Sequence, residues 1–334
     1  MSRYVSDQNK VVMKHESGTY TFTSGNGVWI GQVISNDITD TENLIETRYL
    51  GTGSRSFGEL VGGARDVTGT VTYHPQDMRL PFWTIGSVWE GGTTNFYHCV
   101  AQISTDVQQC VWTSGTGQIS APQSFTLEDS KQAPGTGRNF IRTIIGCVPD
   151  STTITATQGE KVTVECNYIG QSLLHSSGAT TSVTALTTTP YLWSDCKLTM
   201  IGSVMDTVKE VSIEINNNTE APHYVNGSRV IGAPFRLNRN ITMNVTADLD
   251  CDDADLLYTD LYKANGSFNV EFDMNKDSAT AGSMHAVFCL SGCKISDFTA
   301  PSANEGVTEA SFTITAQNIA GSAFDRIQYY NPEF

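Results

Sequence analysis

The stretch GSRSFGELVGGARDVTGTVT at residues 53–72 returns, little altered, as GSRVIGAPFRLNRNITMNVT at residues 227–246. Aligned without a gap, Gly53, Ser54, Arg55 and Gly58 meet Gly227, Ser228, Arg229 and Gly232, and Arg65, Thr68, Val71 and Thr72 meet Arg239, Thr242, Val245 and Thr246. Upstream, VWIGQVISNDITD (28–40) faces VKEVSIEINNNTE (208–220), each read as a strand stopped by an Asn/Asp turn. Downstream, IIGCVPDSTTITATQGEKVTVECNYIG (144–170) faces CLSGCKISDFTAPSANEGVTEASFTITAQNIA (289–320), both with Gly-Cys, an extended run, a turn and a closing strand. The same parts in the same order imply an internal duplication. The expected units are residues 1–180 and 181–334, with the seam in the Ser/Thr-rich run HSSGATTSVTALTTTP (175–190).

The hydrophobic period is two. Val67, Val71 and Tyr73 share a face with Gly69, opposite Thr68, Thr70 and Thr72; Ile241, Met243, Val245 and Ala247 repeat this. Val162, Val164, Cys166 and Tyr168 alternate with Thr163, Glu165 and Asn167, and Val211, Ile213 and Ile215 with Ser212, Glu214 and Asn216. Each pattern predicts an antiparallel strand with one dry and one wet face. One short helix is expected per unit, QDMRLPFWTIG (76–86) and DDADLLYTDLYKA (252–264), with Asp77, Asp252 and Asp253 as N-terminal acids complementing the helix dipole. Residues 87–124 of the first unit read as an inserted hairpin. Two long inter-strand loops, 37–64 and 217–238, are Gly-, Arg- and Asn-rich and poor in large apolar residues, as functional loops are.

Composition narrows the function. The chain has 334 residues, 20 basic and 35 acidic, a formal net charge of −15. That balance argues against a surface that grips nucleic acid, since phosphate contacts require Lys and Arg. No apolar leader opens the sequence and no run spans a bilayer, so synthesis in the cytoplasm without membrane insertion is expected. The eight cysteines are too sparse for a disulfide scaffold, although Cys99 and Cys110, flanking CVAQISTDVQQC, form the best candidate pair.

Catalytic and metal motifs fare poorly. Asp248, Asp250 and Asp252 take the first ligand positions of a calcium loop, yet its Gly and closing Glu are replaced by Asp253 and Thr259. His285, Cys289 and Cys293 lack a second ligand pair for zinc. No nucleophile elbow, phosphate loop or dinucleotide fingerprint is present, so neither an enzyme nor a cofactor is expected.

The run PYLWSDCKLTMIGSVMDTVKEVSIEINNNTEAPHYVNGSRVIGAPFRLNRNITMNVTADLDCDDADLLYTDLY (190–262) resembles the tail tube proteins of tailed phages, and GCKISDFTAPSANEGVTEASFTITAQNIAG (292–321) looks like that family's last strands. The resemblance implies a mainly β fold: two tandem β-sandwich or half-barrel domains, each with a short flanking helix and a long loop. It implies rings joined edge to edge around a β-barrel and stacked into the tube that delivers the genome. Two such domains per chain would make the ring a trimer with a pseudo-sixfold lumen. Partners would be further copies and the tape measure, terminator and baseplate proteins of the tail, with DNA passing without specific binding. The long loops would reach the adjacent ring, with Arg48, Arg55, Glu59, Arg65, Asn226, Arg229, Arg236 and Arg239 as contact candidates. The alternative is a virion adhesin or decoration protein whose aromatics Trp83, Trp89, Phe96, Tyr97 and Trp112 would form a sugar platform.

Overall fold

The computed structural model describes residues 9–16, 27, 29–47, 59–76, 78–85, 88–91, 96–99, 124–133, 139–183, 185, 189–249, 256–276, 284–300 and 308–325. The strands of the first half are β1 (Lys10–His15), β2 (Gly31–Thr47), β3 (Glu59–Pro75), β4 (Val88–Gly91), β5 (Phe96–Cys99), β6 (Phe125–Gln132), β7 (Asn139–Thr157), β8 (Thr163–Gly170) and β9 (Ser172–Ser176). Those of the second are β10 (Cys196–Met200), β11 (Ser203–Val204), β12 (Val208–Asn216), β13 (Asn240–Asp248), β14 (Phe268–Lys276), β15 (Met284–Thr299), β16 (Glu309–Ala316) and β17 (Asn318–Asp325). All are linked in one antiparallel network.

A central sheet runs β2–β3–β8–β7–β12–β13–β16–β15. Two wings extend from it, β1–β6–β7–β9 and β11–β10–β14–β15–β17–β5–β4. The long strands β7 and β15 belong to both a wing and the centre. Each turns from one to the other at a glycine of positive φ, Gly146 (φ 69°) and Gly292 (φ 64°), followed by a fully buried cysteine, Cys147 or Cys293. That backbone region is open to glycine and strained for other residues. The Gly146 N–H donates to the buried Glu16 carboxylate at 2.8 Å, and the Gly292 N–H to Asn269 Oδ1 at 3.4 Å.

The registers of the two halves share three bulges, while a fourth, between Glu42 and Leu44 of β2, occurs in the first half alone. The β7–β8 ladder pairs Val148 with Ile169 and slips between Pro149 and Ser151; β15–β16 pairs Lys294 with Thr315 and slips between Ile295 and Asp297. The β6–β7 bulge between Phe125 and Leu127 recurs in β14 between Phe268 and Val270. The β2 bulge between Val33 and Ser35 recurs in β12 between Val208 and Glu210. This last pair corrects the upstream alignment: Val33, not Val28, is the counterpart of Val208.

The same strand corrects a second expectation. Residues 37–64 were expected as a loop, but β2 continues to Thr47 and β3 begins at Glu59, paired throughout. Asn36 and Asp40 do not stop the strand because each has a cross-strand partner: Asn36 accepts from the Tyr168 hydroxyl at 3.1 Å, and Asp40 binds Arg65. The result is a hairpin arm. Residues 217–238 do lack regular strands and fold back through an isolated Glu220–Phe235 bridge.

The predicted alternation holds at the centre. Val67, Val71, Tyr73, Val164, Cys166, Tyr168, Val211, Ile213, Ile215, Ile241, Met243 and Val245 are buried in one continuous core, and Ala247 is buried as well. The short helix α1 (Arg79–Ile85) packs on β7, with Pro81 in its first turn, where no intrahelical N–H bond is lost. Its counterpart, Leu256–Lys263, is wound as a π-helix and packs on β15. Trp83 is no sugar platform: it is buried and stacks on Phe125 at 5.3 Å, which meets Tyr168 edge-on at 6.3 Å. Within the expected 87–124 insertion, β4 and β5 form a hairpin whose β5 pairs with β17 of the second half. The first part of the Ser/Thr-rich seam lies along the first wing, where the Thr181 N–H donates to the buried Glu128 at 2.8 Å, and at its far end Lys276 of β14 donates to Pro190 O at 3.1 Å.

Candidate functional site

The surfaces left over after the core is built are the arm, the open face of the central sheet and the sheet's two outer edges. The arm is a two-strand ribbon, which is marginal alone, and the second half braces it. The loop from Asn217 to Asn238 crosses β3: the Arg65 N–H donates to Arg229 O at 2.8 Å, and Arg65 and Val230 form a parallel bridge. Arg229 Nε donates to Gly63 O at 2.9 Å while its guanidinium pairs with Glu42. Gly62 leaves room for that crossing, because a Cβ there would collide with both Arg229 and Glu42. His223 Nε2 sits 2.8 Å from Asp66 Oδ1. Arg65 grips Asp40 with two nitrogens, Nε to Oδ1 at 2.7 Å. That hydrogen bond holds the Asp40 carboxyl below its ordinary range, opposed by burial and helped to a smaller extent by the Arg65 charge.

The sequence-predicted residues therefore divide. Arg65 and Arg229 come together at the root of the arm, both engaged within the chain. Arg236 and Arg239 lie elsewhere: Arg236 donates to Trp83 O at 2.5 Å, and Arg239 to Asn217 Oδ1 at 3.0 Å, tying the loop to α1. Asn226 occupies an exposed turn, its side chain accepting from the Ser228 N–H at 3.0 Å. Arg48, Arg55, Asp77, Asp252, Asp253 and Cys110 lie outside the described residues, as do the side chains of Glu59 and Cys99. Beyond the brace, the arm is apolar and bare: Leu44, Ile45 and Leu60 are 58%, 57% and 55% exposed, with Val61 beside them. Sequence reasoning passed over these four because it read the region as loop.

The open face is hydroxyl, amide and acid. Thr70 donates to Asn167 at 2.6 Å, Asn167 to Ser151 at 2.9 Å and Thr313 to Asn244 at 2.8 Å, linking neighbouring strands. Register places Asp37, Glu165, Glu210, Glu214 and Asp297 on this face, with Lys294 among them. Cys166 and Cys293 are packing groups: burial pushes their thiols up to about 12, so both keep their protons. Cys289 is in a disulfide, which removes it as a metal ligand. Asp248 of the acidic run pairs with Lys209 at 2.6 Å.

An arm with exposed leucine, isoleucine and valine side chains beside a sheet face of hydroxyls, amides and acids describes a mainly β protein. The phage tail tube protein family model matches residues 6–323, and the chain belongs to that family. No curated protein matches the sequence. Membership gives the chain a structural role in the tail tube of the virion.

Proposed function

We propose that the chain carries two tube domains, residues 1–180 and 181–334, and that three copies form a ring with a pseudo-sixfold lumen. The observation that carries this reading is the matched pairing of β2–β3–β8–β7 and β12–β13–β16–β15, bulges included. Inside the chain β7 joins β12, which leaves one side of β2 and one side of the Lys294–Thr299 part of β15 unpaired among the described residues. Such edges are aggregation hazards unless a neighbour covers them, and closure into a barrel covers all of them at once. The wet face lines the channel, where its acids repel DNA phosphates and the genome slides without binding. The β2–β3 arm extends to the adjacent ring and buries Leu44, Ile45, Leu60 and Val61 there, while the 217–238 loop serves as its brace. Tape measure, terminator and baseplate proteins contact the ends of the tube.

Electron microscopy of the purified protein with end-on averages tests this. Hollow tubes with three strong repeats and a weaker sixfold modulation are the expected result. True sixfold order would keep the tube and reject two lumen domains per chain. Discrete oligomers under all assembly conditions would reject the tube and favour the adhesin.

A further inference from the structure

The seam inside the chain is a template for a seam between chains. In it, Ser151 of β7 stands opposite Asn216 of β12, Thr152 opposite Ile215, Thr153 opposite Glu214 and Ile154 opposite Ile213. The matched bulges give each of these strands a counterpart at a free edge. Following the Pro149/Ser151 and Ile295/Asp297 slips, Asp297, Phe298 and Thr299 stand in β15 where Ser151, Thr152 and Thr153 stand in β7. Following the Val33/Ser35 and Val208/Glu210 slips, Thr39, Asp40 and Thr41 stand in β2 where Glu214, Ile215 and Asn216 stand in β12.

We infer that β15 of one chain pairs antiparallel with β2 of a second copy, with Thr299 opposite Thr39, Phe298 opposite Asp40 and Asp297 opposite Thr41. This register rests on the tube reading and goes beyond it by fixing which residues meet. It also keeps the two faces in step, which a slip of one residue would destroy. Thr299 and Thr39 both lie on the wet face, through Ser311 and Thr68. Phe298 lies on the apolar face, its ring 6.2 Å from Phe312 and 6.1 Å from Tyr262.

The chemistry of the two seams differs in a way that suits their histories. The internal seam sets Ile215 beside Thr152, and both are buried. At the same place the external seam sets Asp40, whose charge Arg65 already compensates. An edge that waits in solvent before assembly is protected by a charge, whereas an internal seam needs no such protection.

The test is a full-length chain carrying Thr39→Cys and Thr299→Cys, both at exposed positions. Directly opposed residues hold their Cβ atoms about 4.5–5.5 Å apart, within reach of a disulfide after slight adjustment. Assembled tubes are oxidised and run on a denaturing gel without reductant, beside the wild type and an Asp37→Cys/Thr299→Cys control on the same face. The expected product is a covalent trimer from the first pair, with at least a fivefold excess over the control. Intact tubes in which the first pair cross-links no better than the control overturn the register and leave the tube standing. Failure of the wild type to form tubes overturns both. If the double variant does not assemble, hydrogen exchange on the wild type decides. Amides of residues 38–41 and 297–300 gain protection on assembly if the seam is right and stay unchanged if it is wrong.

Discussion

Asn217 belongs to an N-x-T sequon in the sequence, yet in the fold it is fully buried. Its amide donates to Thr84 O at 2.9 Å, its Oδ1 accepts from Arg239, and its backbone N–H donates to Asp150 O at 2.8 Å. One side chain thus joins the start of the brace, the end of α1 and the root of β7. Asn217→Ala leaves the buried Thr84 carbonyl without this donor, which costs about 1–3 kcal/mol by the usual penalty for an unmet buried polar group. The expected outcome is a lower denaturation midpoint with an unchanged denaturant slope. A neutral substitution would mean that Arg236 and Arg239 hold the loop without it. Apart from the sequon, nothing in the sequence sets this asparagine apart from Asn216 or Asn218. Its role depends on α1, which is more than a hundred residues away in the chain.

At the scale of elements, the glycines that turn β7 and β15 from wing to centre govern more structure than any one contact. Gly292→Ala forces an L residue into positive φ and drives its Cβ against Gln317, 2.6 Å from Oε1. The backbone penalty alone is about 1–2 kcal/mol, and hydrogen exchange should report faster opening of β14–β15 than of β6–β7. Equal loosening of both wings would show that the halves unfold as one unit. These turns were legible as the shared Gly-Cys, and the alternating faces were legible from Thr-Val periodicity. The arm was not. Asn36, Asp37 and Asp40 carry the local signature of a turn, and only partners across the sheet, Tyr168 and Arg65, keep the strand going. Reading strand ends at those residues also misplaced the upstream alignment. The brace escaped for the same reason: Arg229 props an arm that the sequence reads as a loop.

For the whole molecule, the decisive quantity is the sign of charge on the wet face. A net charge of −15 is compatible with any soluble protein, but register concentrates Asp37, Glu165, Glu210, Glu214 and Asp297 on one side of one sheet. If that side lines the channel, three copies multiply the acids into a ring around the passing duplex. Glu165→Lys and Glu214→Lys together replace two acids by two bases at exposed positions opposite Thr72, Thr153 and Thr242, where there is room for the longer side chain. The variant should fold and polymerise as the wild type does, because neither residue lies at the proposed seam or on the arm. Its tubes should retain short duplex DNA at low salt and release it steeply as salt rises, the signature of released counterions. Wild-type tubes should retain none under the same conditions. Variant tubes that ignore DNA at every salt concentration would place these glutamates outside the lumen and turn the central sheet around.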